Sequence, residues 1–172
     1  MRLPWADGPF KVWRLVDRDD AETWDSGAGA EKRGGRWNPK GYPVVYCTAD
    51  PSTAILEVAA HQRFAYLDSV PHVLTSAFVS HVDDVHVVMP RDVPNAHWLE
   101  PVSPSKSQQV FGQRLLEQHP FVLIPSAVVC ESWNLLFNPQ RAAGRYQFDA
   151  QRPFSLDTRL NPPESLEDEI PR

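Results

Sequence analysis

The chain has 172 residues, enough for one domain with a substantial hydrophobic core. Its 17 Lys and Arg against 22 Asp and Glu leave a formal charge of −5, whereas a general nucleic-acid binder carries a basic surplus. No stretch approaches the ~20 apolar residues of a membrane span, and the Pro- and Gly-containing start lacks the apolar run of a signal peptide, so a cytoplasmic protein is expected.

Apolar residues at 42% and charged residues at 23% are ordinary for a globular protein. The 17 prolines are an excess and predict many short elements with few long helices. Residues 11–16 read as a first strand, with Val12, Arg14 and Val16 on one face and Trp13 and Leu15 on the other. Arg14 is then either an edge arginine in solvent or an anion ligand lining a cleft. Residues 17–32 are acidic, then rich in Gly and Ala, and read as a mobile loop over the turn that follows. They are too irregular for a P-loop and lack its Gly-Lys-Ser/Thr ending.

The turn itself is Arg33-Gly34-Gly35-Arg36-Trp37-Asn38-Pro39-Lys40-Gly41-Tyr42, feeding a strand at residues 43–48. Gly34, Gly35 and Gly41 allow close approach of backbone to a ligand. Arg36 offers a planar fork of donors suited to phosphate. A helix follows, with Asp50 as N-cap and Pro51 at its first position. Ile55, Val58 and Ala59 form its core stripe, and Glu57 lies off that stripe. Taken alone, Glu57 is an ordinary solvated glutamate. The spacing of Arg36, Tyr46 and Glu57 over loop, strand and helix nevertheless lets the chain fold them into one cleft. The helix is expected to fray at residues 64–67.

Residues 73–79 and 85–89 read as strands, with Asp83-Asp84 as a turn signal. Residues 90–104 are a Pro-rich loop containing Trp98. Residues 105–119 form a second helix capped by Ser105 or Ser107 and closed by Pro120. Residues 121–130, the most apolar run, read as a central strand interrupted by a bulge at Pro125-Ser126 that aims the Ser126 hydroxyl out of the ladder. Otherwise Ser126 is a turn serine bonded to backbone. Cys47 and Cys130 both sit in strand-like runs and read as buried, reduced thiols. Asn134 and Asn138 bracket an apolar triplet and read as a loop; residues 146–148 and 154–157 read as terminal strands. Residues 161–172, rich in proline and acids, read as a disordered tail.

Several of these stretches together resemble the RES domain family, the toxins of RES–Xre toxin–antitoxin pairs. They are Gly34-Gly35-Arg36-Trp37-Asn38, Gly41, Val45-Tyr46, Ser52-Thr53-Ala54-Ile55-Leu56-Glu57, Pro125-Ser126-Ala127-Val128-Val129 and Asn134-Leu135-Leu136-Phe137-Asn138-Pro139. The family's arginine, glutamate and serine match Arg36, Glu57 and Ser126, and the closing residues 154–160 fit as well. The likeness runs from about residue 13 to residue 160. It implies an α+β fold, a compact mixed sheet with few helices, similar to ADP-ribosyltransferases. It implies one NAD-cleaving domain over residues 1–160, with NAD as substrate and a helix-turn-helix, Xre-like antitoxin as partner. The acceptor of the ADP-ribosyl group is water, phosphate or a protein.

The residues suit that chemistry. Nicotinamide leaves as a neutral base, so one carboxylate beside the cationic ribose suffices where glycosidases need two. Glu57 takes that role. Arg36 and Arg14 are assigned to the diphosphate, Tyr46 to stacking on nicotinamide or bonding a ribose, and Ser126 and Asn134 to orientation. A ribonuclease toxin and a non-catalytic nucleotide-binding module are the rival readings. No metal is expected, because His61, His72, His81, His86 and the cysteines lack ligand spacing. No direct nucleic-acid or membrane contact is expected either.

Overall fold

The computed structural model describes residues 2–6, 8–98, 100 and 104–162. Its strands are β1 (Lys11–Asp17), β2 (Val45–Thr48), β3 (His72–Val79), β4 (Val85–Val87), β5 (Phe121–Pro125), β6 (Trp133–Phe137) and β7 (Tyr146–Phe154). Its α-helices are α1 (Ala28–Arg33), α2 (Pro51–Gln62), α3 (Phe64–Ser69) and α4 (Lys106–Gln118). The strands form one sheet in the order β4-β5-β6-β2-β1-β3-β7, antiparallel except for β4 with β5. This is the α+β arrangement expected.

One paired position, Trp13 with Thr48, joins β1 to β2, whereas β1 pairs with β3 along its whole length. The sheet is therefore two ladders meeting at a narrow seam. It curls: the Tyr146 ring on edge strand β7 lies 5.0 Å from that of Phe137 on β6. The concave face holds the main core, with Val12, Val16, Val45, Cys47, Leu123 and Leu135. On the other face α2 packs against Leu15 through Ala54 and Ala59. Trp37, Trp98 and Leu116 of α4 cover Val122, Ile124 and Leu136 on that same side.

Several local expectations change. Residues 17–32 are ordered as a 3-10 helix (Arg18–Thr23) and α1, because Ala, Glu, Lys and Arg favour helix between two glycines at φ 71° and 75°, Gly27 and Gly34. The fraying expected after α2 is instead a break at Arg63, at φ 69°, with α3 resuming beyond it. Asn134 starts neither a loop nor a turn: β6 is buried along its length, so it reads as a continuous apolar run. Residues 146–154 form one strand, and its Pro153 is tolerated because β7 is an edge. The tail expected at residues 161–172 lies, beyond Pro162, outside the described residues.

β5 stops at Pro125, so residues 126–132 are a turn and Cys130 is exposed, not buried. Cys47 stays in the core, and burial pushes its thiol up to about 12. A thiol reagent at neutral pH is expected to modify one cysteine in the native protein and both after denaturation. Two equivalents reacting rapidly in the native state would contradict the packing around Cys47.

Asp50 caps α2 as the sequence suggests, accepting the Thr53 N–H at 2.8 Å and the Thr53 hydroxyl at 2.7 Å. It also accepts the Ser132 hydroxyl at 2.5 Å. Burial works against its charge, but these hydrogen bonds outweigh it and hold the carboxyl below the usual range. The start of α2 is thereby tied to the turn after β5, and this tie brings Glu57 and Ser126 together.

Candidate active site

Glu57 is two turns into α2 and faces the end of β5. Its Oε1 accepts the Ser126 hydroxyl at 2.8 Å and the Asn134 amide Nδ2 at 2.7 Å. Among the described residues its Oε2 takes no hydrogen bond. Asn134 is available because the β2–β6–β5 register puts it beside Thr48 and Ile124, on the face that carries α2. Ser126 is fully buried and also accepts the N–H groups of Val128 at 3.1 Å and Val129 at 3.0 Å. It is at once the turn serine bonded to backbone and the orienter of Glu57. With its proton given to the carboxylate and its lone pairs taken by amides, it has no nucleophilic character.

The glycine-arginine turn is built on Asn38, which sequence reasoning missed as a site residue. Asn38 is fully buried, and its Nδ2 donates to the carbonyls of Ala30 at 3.1 Å, Pro39 at 3.0 Å and Tyr42 at 3.0 Å. Its Oδ1 accepts the Tyr46 hydroxyl at 2.7 Å. The Tyr46 oxygen in turn accepts the Trp37 N–H at 3.1 Å. Gly35 makes room for this: a Cβ there would lie 2.5 Å from the Tyr46 oxygen. Gly112 does the same for α4, since a Cβ on it would lie 2.7 Å from the Cβ of Trp37. The available signal was the Asn-Pro pair inside a turn.

Arg36 projects from this turn and donates Nη1 to the Trp98 carbonyl at 2.5 Å, its only hydrogen bond among the described residues. Trp98, unplaced from sequence, packs against Trp37 with ring centroids 5.7 Å apart. The rest of the Arg36 fork is available to an anion. Tyr46 links the two halves of the site. Burial pushes its phenol above the usual range; the Trp37 N–H acts the other way, the Glu57 charge adds to the rise, and Arg36 and Arg14 oppose it. Glu57, Arg36 and Arg14 are thus all within electrostatic reach of one phenol.

Arg14 stands apart from the others. It lies on the concave strand face with Val12 and Val16, opposite the face that carries Glu57. It reaches the seam by donating Nη1 to the Tyr46 carbonyl at 2.8 Å, in place of the missing β1–β2 ladder. Among the described residues its buried Nε has no hydrogen-bond partner, and burial lowers its pKa. Among the described residues no group of three or more His, Cys, Asp or Glu is arranged to hold a metal ion, and no helix is long and apolar enough to cross a membrane.

The fold is shared with a chain of the crystal structure of the M. tuberculosis MbcT–MbcA toxin–antitoxin complex, at a TM-score of 0.68 and 20% identity, covering 86% of this chain and 85% of that one. The sequence is 32% identical over 156 residues to "Toxin Res" of Yersinia enterocolitica, covering 87% of this chain and 98% of that protein. It is also 32% identical over 142 residues to the "Prs ADP-ribosylating toxin" of a Sphingobium species, covering 74% of this chain and 81% of that protein. The model of the RES domain matches residues 11–157, from the first residue of β1 to just past β7. That span takes in Arg36, Tyr46, Glu57, Ser126 and Asn134 together with the strands and helices that orient them, so the chain belongs to the RES domain family.

Proposed function

We propose that this protein is the toxin of a toxin–antitoxin pair and that it cleaves the nicotinamide–ribose bond of NAD. The observation that carries this reading is the Glu57 carboxylate. One of its oxygens is fixed by Ser126 and Asn134, the other takes no hydrogen bond among the described residues, and the carboxylate's charge is felt at the Tyr46 phenol, as is that of Arg36. As the C–N bond breaks, its electron pair goes to the pyridine nitrogen and positive charge grows on the ribose. A carboxylate already held in position stabilises that charge without reorganising. Ser126 and Asn134 keep it aimed. Arg36 grips the diphosphate, Tyr46 packs on the nicotinamide end, and Arg14 adds positive field from beneath the seam while holding the Tyr46 backbone. The acceptor, water or phosphate, attacks the anomeric carbon, and the proton it loses passes to solvent.

In this reading residues 1–160 form the catalytic unit, acting in the cytoplasm, with a helix-turn-helix antitoxin keeping it silent. Transfer to a protein side chain is the second reading, favoured by the name of the Sphingobium relative. Incubating the purified protein with NAD, with and without phosphate, and following the products by NMR tests both. Free nicotinamide with ADP-ribose or an ADP-ribosyl phosphate is the expected result. NAD that persists unless an acceptor protein is added would favour the second reading, and NAD that persists in every case would overturn the proposal.

A further inference from the structure

The Tyr46 hydroxyl has no capacity left for a ligand. A phenol has one proton to donate, and this one goes to Asn38 Oδ1 at 2.7 Å. Its oxygen accepts the Trp37 N–H at 3.1 Å, and the Gly35 backbone closes the remaining approach, with no room for even a Cβ. The residue is nevertheless partly exposed, so what it offers a substrate is its ring.

The same bonds enclose Arg36. On one side, the Gly35 N–H donates to the Asn38 carbonyl at 2.9 Å, and the Gly35 carbonyl accepts Gln109 Nε2 of α4 at 2.9 Å. On the other side, the Trp37 N–H ends on the Tyr46 hydroxyl. Both peptides flanking Arg36 are therefore pinned, the one before it by Gln109 of α4 and the one after it by the Tyr46 hydroxyl, which Asn38 orients. The orientation of the Asn38 amide follows from its partners: three carbonyls face Nδ2 and one hydroxyl faces Oδ1, so a flipped amide would set oxygen against oxygen.

We infer that Asn38 and the Tyr46 hydroxyl are positioning groups, which act on the substrate's diphosphate only by fixing the backbone from which Arg36 projects. This rests on the NAD-cleaving reading above. The strand-borne ring and the turn-borne guanidinium are thereby set as one unit. A turn as glycine-rich as residues 33–42 would otherwise sample many arrangements, and a misdirected fork loses its paired contact with phosphate.

The test is a mutant cycle read as kcat/KM for NAD. Tyr46→Phe keeps the ring and removes the pin. In the otherwise native protein it is expected to lower kcat/KM about fivefold to tenfold, through KM and with kcat nearly unchanged. In an Arg36→Ala background the same change is expected to have no further effect, because the group it positions is gone. Asn38→Ala should give the same pattern, and either substitution should speed hydrogen exchange at the Trp37 amide, a readout that needs no NAD. An equal loss from Tyr46→Phe in both backgrounds would mean that the hydroxyl touches substrate directly and would overturn the inference. So would a loss confined to kcat. A parent protein that leaves NAD intact would instead remove the reading beneath it, while the Trp37 exchange rate would still report on the pin.

Discussion

Replacing Glu57 with glutamine is expected to reduce NAD turnover at least ~100-fold, the scale on which a single preorganised electrostatic contact acts in a transition state. The substitution preserves shape. The glutamine carbonyl can still accept the Ser126 hydroxyl and the Asn134 amide, which now meet on one oxygen of the carboxylate at 2.8 Å and 2.7 Å. What disappears is the negative charge on the open side, where the ribose cation would form. NAD binding should change little, because the ground-state ribose is neutral, so the loss belongs in kcat. The checks are turnover by NMR and a thermal melt. A Glu57→Gln protein that melts like the parent and still consumes NAD at the parent's rate would exclude Glu57 as the stabilising carboxylate. One that fails to fold would show that the charge, and not only the shape, holds α2 against the turn after β5.

Removing the Arg36 side chain is expected to act on binding instead. A hydrogen bond to a charged group contributes about 1.5–3 kcal/mol, so Arg36→Ala should raise KM for NAD roughly tenfold to a hundredfold. Arg36→Lys should recover only part of this, since an ammonium keeps the charge but lacks the planar fork. Arg36 also donates to the Trp98 carbonyl at 2.5 Å, so its loss loosens the segment bearing Trp98. Lysine cannot reproduce that geometry either, which is why the pair of variants has to be compared for stability as well as affinity. Calorimetry on the Glu57→Gln background reads the affinity without turnover. Equal dissociation constants with and without the Arg36→Ala change would take Arg36 out of the anion site.

The two ends of the proposed reaction were not equally legible in the sequence. Arg36 announced itself through the glycines and aromatics around it, and Asp50-Pro51 marked the start of α2 correctly. Glu57 by itself was indistinguishable from any exposed helical glutamate. The sequence around Asn134 reads as a loop, because two asparagines flank a short apolar run. In the structure it is a strand residue whose amide Nδ2 donates to a carboxylate from a helix far along the chain. Ser126 was legible as a special position through Pro125, but not as a ligand of Glu57. Asn38 gave almost no signal, since a buried asparagine and a solvated turn asparagine look the same in a sequence.

What the sequence by itself determined was local: the glycine turn, the cap of α2, the alternation that sets Arg14 beside Val12 and Val16, and the set of residue types that the proposed NAD chemistry calls for. Tertiary structure alone decided the pairings, namely Glu57 with Ser126 and Asn134, Tyr46 with Asn38 and Trp37, Arg36 with Trp98, and Arg14 with the seam rather than with the Glu57 face. The reason is physical. Turn and cap preferences arise from the backbone of a few adjacent residues, whereas a buried polar group must find its partner wherever sheet register and helix packing bring one.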